Sequence, residues 1–499
     1  MQPPLSAVSA KVQAALAEHA RKRAALAESI KAAGGAVRLG KSTSNLFRTR
    51  KNASTSPVKS LDVRAFNQVL CVDADNLTMD VEGMTPYETA VAAALEAGCL
   101  PAVVPELKTI TVGGALTGVG IESSSFRYGF VHETAVELDI LLPDGRLVLC
   151  RPDNKHRALF YGFANSYGTL GYVIRARIKI VRAKPFVELR HRRFTEAAPF
   201  LAEMARLCEA NRQTPSSEHS ASGKSSTTEE KWDFVEGSVF SETLHVLTTA
   251  RFVETLPAGA HASDYKYLRA YYKTLEESPD GKNGKDGKTR DFLTSSDYIW
   301  RWDTDWFWCS RQMGIDGFWK RLLLGRWVFG SRKLWKIFNW YRRNDIANKM
   351  AKIFPSAREQ LKWEPVIQDV EVPARHGTEF LEFFHREIGI KPVWVCPVQT
   401  PDPSVRFDLY TMTPGTLYLN FGFWDSVKTP VHMPPGHFNR LVEKKVEEFG
   451  GRKSLYSESF YTEEEFWRIY DGTAYARLKA LYDPEGRLLN LYQKTVRSL

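Results

Sequence analysis

Apolar positions along this chain follow two rhythms in turn: a spacing near 3.6 residues over some stretches, and short β-branched or alternating runs over others. Met1 to Ala33 is rich in Ala, Lys and Arg at helical spacing and predicts a leading helix that Gly34-Gly35 ends. Val37-Arg38-Leu39 begins a first strand. Val69 to Val72 and Thr78 to Val81 read as two short strands around the turn residues Asp73-Ala74-Asp75-Asn76. Tyr87 to Ala97 carries Ala, Val and Leu at helical spacing, with Thr85 and Glu88 in capping-box register and Gly98 at its end. Ala135 to Leu142 and Leu147 to Cys150 flank Pro143-Asp144-Gly145-Arg146, which predicts a hairpin with an Asp-Gly turn. Tyr172 to Val181 is a further strand.

Beyond Arg182 the pattern changes. A strand over Val187 to Phe194, a helix over Glu196 to Asn211, and strands over Phe234 to Phe240 and Leu244 to Val253 make one round of strand, helix, strand, strand. Val366 to Val372, Gly377 to Ile388, Val393 to Pro397 and Leu417 to Trp424 make a second round, followed by a helix from His437 to Phe449. Two such rounds predict an antiparallel sheet with helices on one side, so the fold class is α+β. Polar loops, Thr214 to Lys231 and Glu276 to Arg290, interrupt the pattern. Between the rounds, residues 298–343 hold Trp300, Trp302, Trp306, Trp308, Trp319, Trp327, Trp335 and Trp340, interleaved with Lys and Arg. This segment has two readings. One is a helix lying in a membrane interface with its cations toward lipid headgroups; the other is an aromatic lid over an active site.

Composition narrows the partners. A chain of 499 residues exceeds one ordinary core and implies two domains, or one large domain with an insertion. No run of eighteen apolar residues occurs, so no spanning helix is expected. Cys71, Cys99, Cys150, Cys208, Cys309 and Cys396 are scattered without metal-ligand spacing, and read as reduced residues of an intracellular protein with no metal site. A net charge of +10 asks for an acidic partner. With no recognisable nucleic-acid module, the aromatic and basic segment directs that charge to an anionic membrane surface rather than to DNA or RNA. Met1 to Ala33 lacks the apolar core of a secretory signal, and Glu18 and Glu28 argue against a transit peptide. The expected location is the cytoplasm, with peripheral membrane association.

The candidate chemistry centres on Thr111 to Gly129, TVGGALTGVGIESSSFRYG, where four glycines within eight residues precede three serines. Such a backbone turns sharply and exposes N–H groups to a phosphate. The stretch lacks the Lys-Ser/Thr of a P-loop and the spacing of a Rossmann turn. Gly40-Lys41-Ser42-Thr43-Ser44-Asn45, after the first strand, and Ser166-Tyr167-Gly168-Thr169-Leu170-Gly171 are further small-residue loops.

The order of these elements over residues 34–183 resembles the FAD-binding domain of the vanillyl-alcohol-oxidase and p-cresol-methylhydroxylase (PCMH-type) flavoprotein superfamily. Within it, TVGGALTGVGIESSSFRYG with YGTLGYVIRARIKI is most similar to the Diminuto/Seladin group, which contains the sterol delta-24 reductases. It is also similar to bacterial FAD-linked reductases that make 10-methyl branched fatty acids from a 10-methylene precursor. The opening RLGKSTSNLFR and the closing EEFWRIYDGTAYARLKALYDPEGRLLNLY are closer to that bacterial branch. The resemblance implies an N-terminal helix (1–33), an FAD-binding domain (34–183), an α+β substrate or cap domain (184–462) and a C-terminal segment (463–499) returning to the FAD domain.

It also implies that FAD is held by backbone and hydroxyl groups of Lys41, Ser42, Thr43 and Ser44; of Thr109, Thr111, Val112, Gly113, Gly114, Gly118, Gly120, Ile121, Glu122, Ser123 and Ser124; and of Gly168, Thr169, Gly171 and Val173. At the glycines a Cβ would block approach to the pyrophosphate or force strained dihedrals. Many relatives link the flavin to a histidine in the first loop, but none lies between Val37 and Lys51, so FAD is expected to be non-covalent. NADPH is the implied reductant, and hydride transfer to a carbon–carbon double bond then needs a general acid. Candidates for the catalytic groups are Glu122; Tyr410 and Tyr418, with Asn420 beside them, on strands facing the flavin; and Tyr475 and Lys479, spaced i,i+4 near the C-terminus. His132 and Glu133 have structural readings. The expected substrate is the 10-methylene acyl chain of a phospholipid, made by an upstream SAM-dependent methyltransferase, with a delta-24 sterol as the alternative. An oxygen-using oxidase and a non-enzymatic lipid-binding flavin fold are the other readings.

Overall fold

The computed structural model describes residues 10–41, 47–48, 58–212, 231–266, 268–277, 289–312, 314–333, 336–337, 340, 361–430 and 432–498. Eight strands precede residue 183: β1 (Val37–Gly40), β2 (Lys59–Asp62), β3 (Val69–Asp73), β4 (Thr78–Glu82), β5 (Cys99–Pro101), β6 (Ala135–Leu141), β7 (Leu147–Cys150) and β8 (Tyr172–Arg182). β8 organises this lobe, because Ala176, Ile178 and Ile180 point into the core while Arg175, Arg177 and Lys179 alternate with them. It pairs antiparallel with β4, β5 and β6 in a six-stranded sheet, and β1 and β2 form a separate parallel pair. The leading helix, Ala10–Lys31, docks through His19 and Lys22 onto Glu82. Helix Tyr87–Glu96 is present but has no capping box: its N-cap is Pro86, and the Thr85 hydroxyl donates to the Gln68 carbonyl. The Gly-rich stretch is more ordered than a run of turns, containing short helices at Val112–Thr117 and Ser125–Tyr128.

The second lobe is one eight-stranded sheet built from β9 (Phe186–Phe194), β10 (Phe234–Ser241), β11 (Leu244–Val253), β12 (Arg290–Thr294), β13 (Leu361–Pro373), β14 (Val393–Val398), β15 (Tyr418–Pro430) and β16 (Arg452–Lys453). Their order is β12-β9-β11-β10-β14-β15-β13-β16, every pairing antiparallel. Period-two alternation divides the sheet into two faces. Val370, Val372, Val393, Val395, Leu419 and Phe421 pack with Phe200, Met204, Phe380, Phe384 and Val442 of the helices Ala197–Arg212, Gly377–Glu387 and His437–Glu448. The intervening residues, among them Trp394, Cys396, Val398, Tyr418 and Trp424, turn the other way and share a core with Leu116, Val119 and Tyr167 of the first lobe. Each aliphatic side chain buried in this manner contributes about 1.5–3 kcal/mol, which fixes the lobes against each other.

The aromatic segment divides in two. Tyr298 to Cys309 is buried between the lobes, with the Phe307 ring stacked 4.2 Å from that of Trp424. Helix Phe318–Val328 lies on the surface. The C-terminal helices Glu463–Ile469, Gly472–Tyr482 and Leu491–Thr495 return to the first lobe, where Lys479 donates to the Thr169 carbonyl and Lys494 to that of Tyr167.

Candidate active site

The Gly-rich turn is held by its own backbone. Thr111 caps helix Val112–Thr117 by accepting from the Gly114 N–H at 3.2 Å. Gly113 approaches Gly83 so closely that a Cβ would lie 2.7 Å from the Gly83 carbonyl oxygen. Val119 follows with φ +59°, a left-handed conformation that costs a β-branched residue about 1–3 kcal/mol. Bonds from Gly120 N–H to Ala115 and from Val131 N–H to the Gly120 carbonyl over-determine it. The third loop is strained beside it, with Asn165 at φ +61° and Tyr167 at +49°. The two loops are tied together: the Tyr167 hydroxyl donates to the Gly118 carbonyl at 3.2 Å, and its N–H to Thr117 at 3.3 Å.

Cations gather at the same place. The Arg48 guanidinium lies 5.1 Å from the centre of the Tyr167 ring. Lys41 is solvent-exposed, yet surrounding protein and then Arg48 push its pKa down. Arg48's neighbour Phe47 donates its N–H to the Tyr456 carbonyl, in the stretch that follows β16.

The opposite wall is the inner face of β13 and β15. Here, where a buried sheet normally carries aliphatics, stand Asp369 and Glu371, two residues apart, with Asn420 directly across from Glu371. Asp369 accepts from Asn420 Nδ2 at 2.9 Å and from the Tyr456 hydroxyl, which itself accepts from the Trp424 indole at 2.9 Å. Gly422 makes room for it: a Cβ there would stand 2.6 Å from Asp369 Oδ1. Glu371 accepts from the Tyr410 hydroxyl. Burial raises Asp369 to about 6, and burial together with Asp369 raises Glu371 to about 8.

Glu122 sits in a different centre. Its Oε1 accepts from Ser123 and from Arg301, both within 2.8 Å, and Arg301 also binds both oxygens of Glu236. Burial alone would push Glu236 up, but Arg301 and the indoles of Trp394 and Trp302 hold it below the usual carboxylate range. Glu106 goes the other way, raised well above its ordinary value by burial and then by the neighbouring Glu122.

The remaining sequence candidates fall into place around these centres. Thr109, Val112, Ile121 and Thr169 are buried. The Ser124 hydroxyl donates to Ala102, and Gly120 and Gly171 are needed by packing against Val131 and Ile140. Val173 packs so close to Gly83 that a Cβ there would meet its carbonyl oxygen at 2.0 Å, and Gly168 takes φ +74°. Ser42, Thr43 and Ser44 lie outside the described residues. Tyr418 accepts from the Thr413 N–H at 3.1 Å, beside the cleft. Tyr475 and Lys479 reach the third loop and not Asp369 or Glu371: Tyr475 accepts from Leu491 N–H and bonds Thr169, and Lys479 binds Asp483 and the carbonyls of Thr169 and Leu488. His132, lowered by burial to about 3, is wedged between Phe130 and Phe407, and Glu133 accepts from the Phe130 N–H. Asp369, Glu371, Tyr167 and Tyr456 escaped the sequence reading, although two acids at alternate positions of a valine-rich strand are a legible signal.

The cleft fits a flavin dinucleotide on its own chemistry. Asn165 Oδ1 and Ser166 Oγ of the third loop, and Asn420 Oδ1 of β15, are buried with no partner among the described residues, which is costly unless a ligand supplies one. A family model described as "FAD binding domain" matches residues 14–151. The delta(24)-sterol reductase of Pisum sativum is 25% identical over 450 residues, 87% of this chain and 76% of that protein. That of Homo sapiens is 25% identical over 433 residues, 86% and 76% of the two chains. Cytokinin dehydrogenase 10 of Oryza sativa subsp. japonica is 29% identical over 136 residues, 27% of this chain and 24% of that protein.

Proposed function

We propose that this flavin-dependent oxidoreductase, with FAD held non-covalently and NADPH as electron source, reduces a carbon–carbon double bond in a membrane lipid. Alignment with delta(24)-sterol reductases over 86–87% of the chain supports the reductase half of this reading, since it includes the second lobe and not the FAD-binding residues alone.

The observation that carries the lipid half is helix Phe318–Val328, whose polarity is inverted. Trp319, Leu323 and Trp327, spaced i,i+4,i+8 on one face, are 72–78% exposed, while Arg321 points inward to an ion pair with Asp305. A globular surface does not present such a stripe to water without a partner. Exposed Lys320, Arg332, Lys333 and Lys336 nearby suit anionic headgroups. Among the described residues no helix is long and apolar enough to cross a membrane, and the contact proposed is a peripheral one. Back along the chain from the stripe, the buried Trp306, Phe307 and Trp308 pack against Trp424 of β15, an apolar lining that suits an acyl or sterol tail.

Bound FAD supplies the hydride chemistry. The chain's residues position the two reactants, exclude water beneath the aromatic roof and provide a proton, because an isolated alkene accepts hydride only when the other carbon is protonated. The favoured substrate is a 10-methylene acyl chain of a phospholipid, for which a SAM-dependent methyltransferase acts upstream. A delta-24 sterol is the second reading, favoured by the relatives' names.

The test is an anaerobic absorbance spectrum. Flavin bands that bleach with NADPH and return on adding vesicles of 10-methylene phospholipid establish the first reading; return only with delta-24 sterol vesicles establishes the second. Bleached bands that return with oxygen alone defeat both.

A further inference from the structure

Resting on the reduction proposed above, we infer that Glu371 is its proton donor and that Tyr410 positions the Glu371 carboxyl. Glu371 lies on the inner face of β13, opposite Asn420 and one alternate position from Asp369, on the wall facing the strained Tyr167 loop. One oxygen is fixed by the Tyr410 hydroxyl; the other, Oε1, is buried with no partner among the described residues. That is the arrangement of a donor: one atom held, the other presented.

Its surroundings keep it protonated. Asp369 on the same strand, Arg452 directly across on β16, Tyr410 from the turn Asp408–Tyr410, Tyr167 from the first lobe and Tyr456 from the stretch after β16 are the titratable groups around it, and no ion pair to Glu371 or Asp369 occurs among the described residues. Glu106 Oε1, Glu122 Oε2 and Glu364 Oε2 also lack a partner among the described residues, but the first two belong to the Arg301 centre and Glu364 faces Asn439 of the helix His437–Glu448. Glu122 and Glu236 both bind Arg301, and Glu106 lies against Glu122 rather than beside Tyr167 or Tyr410. The chain therefore holds Glu236 below the usual carboxylate range beside Arg301 and Glu371 above it, a separation of the kind acid–base sites use.

The step balances simply. The alkene π pair forms a C–H bond with the Glu371 proton at one carbon, and the other carbon receives hydride from the reduced flavin. Glu371 is left as carboxylate and regains its proton from solvent, while NADPH restores the two electrons.

The experiment uses holoprotein with Glu371→Gln, Tyr410→Phe and Glu106→Gln variants, in two half-reactions. Glu371→Gln should retain FAD and bleach with NADPH at the wild-type rate, but be reoxidised by the lipid about 100-fold more slowly or worse. Tyr410→Phe should stay active and move the alkaline limb of the reoxidation profile, which in wild type falls above about pH 8. In flavin-free protein, the protonated-carboxyl infrared absorption at neutral pH should lose one component in Glu371→Gln, and that component should remain in Glu106→Gln. Wild-type reoxidation of Glu371→Gln, an unchanged carboxyl band in that variant, or slow reoxidation in Glu106→Gln alone would overturn the assignment. If neither lipid reoxidises the wild type, the reduction itself is lost and the assignment with it.

Discussion

Arg301 is wholly buried and binds Glu122, Glu236 and the Tyr298 carbonyl, its guanidinium 4.2 Å from the Tyr298 ring. Removing it would strand two carboxylates without a counter-charge, which costs about 3–5 kcal/mol. Arg301→Met should therefore lower the urea midpoint by that equivalent, and Arg301→Lys should recover little, since a point charge cannot replace a fork across two acids. Glu371 makes the opposite prediction in pH. It keeps its proton to about pH 8 in the fold, but in the unfolded chain only to about 4.3. Between those values the native state binds more protons, so its contribution to stability is present in acid and is lost as pH rises through the window. Urea midpoints of wild type and Glu371→Gln should converge near pH 4 and separate above pH 8, with the variant the more stable. Single residues such as these were the least legible part of the sequence. The glycines of the Gly-rich stretch announce a tight loop, yet Gly113 and Gly120 are required by Gly83 and by Val131 and Pro105, contacts that only the fold brings together. A Gly118→Val change would likewise strike the Gly114 carbonyl, 2.9 Å from the new Cβ, before it met any cofactor.

Elements were legible where one periodicity ran long enough to need no partner. Leu244–Val253 and the helix Gly377–Glu387 stand where the pattern put them, because alternation and the 3.6-residue stripe each have one face to bury. Strands β2, β5 and β12, at most five residues long, exist through their neighbours and carry no pattern of their own. The aromatic segment shows why composition alone stalls: the same Trp and Arg types form a roof in Trp302 and Trp308, both 1% exposed, and an outward stripe in Trp319 and Trp327. Trp335, one of the tryptophans that drew attention to the segment, lies outside the described residues. Trp319→Glu with Trp327→Glu removes two exposed rings that would each contribute about 1.5–3 kcal/mol on leaving water. The double variant should fold normally, oxidise NADPH with a soluble dye at the wild-type rate, and lose at least tenfold (about 1.4 kcal/mol) in affinity for anionic vesicles by co-sedimentation. Unchanged sedimentation would turn the stripe toward a protein partner instead.

At the scale of the whole molecule, the chain closes on itself: the segment after Thr462 contributes no strand, yet it braces the loop nearest the cleft. Lys494 donates to the Tyr167 carbonyl at 2.6 Å and its own carbonyl receives Arg48, so one residue joins the first loop, the third loop and the C-terminus. Sequence periodicity cannot expose this link, because the partners stand 327 and 446 positions apart. Loss of the ammonium leaves a loop carbonyl short of a donor, worth about 1–3 kcal/mol, in a segment already held at φ +49°. That energy falls on the loop and not on either sheet. Lys494→Met should accordingly leave the main thermal transition nearly unchanged while weakening FAD retention about five- to a hundredfold, measured by flavin fluorescence released on dilution. Equal losses in both would mean that the C-terminal return stabilises the first lobe as a whole; a loss in flavin alone places its function at the cleft.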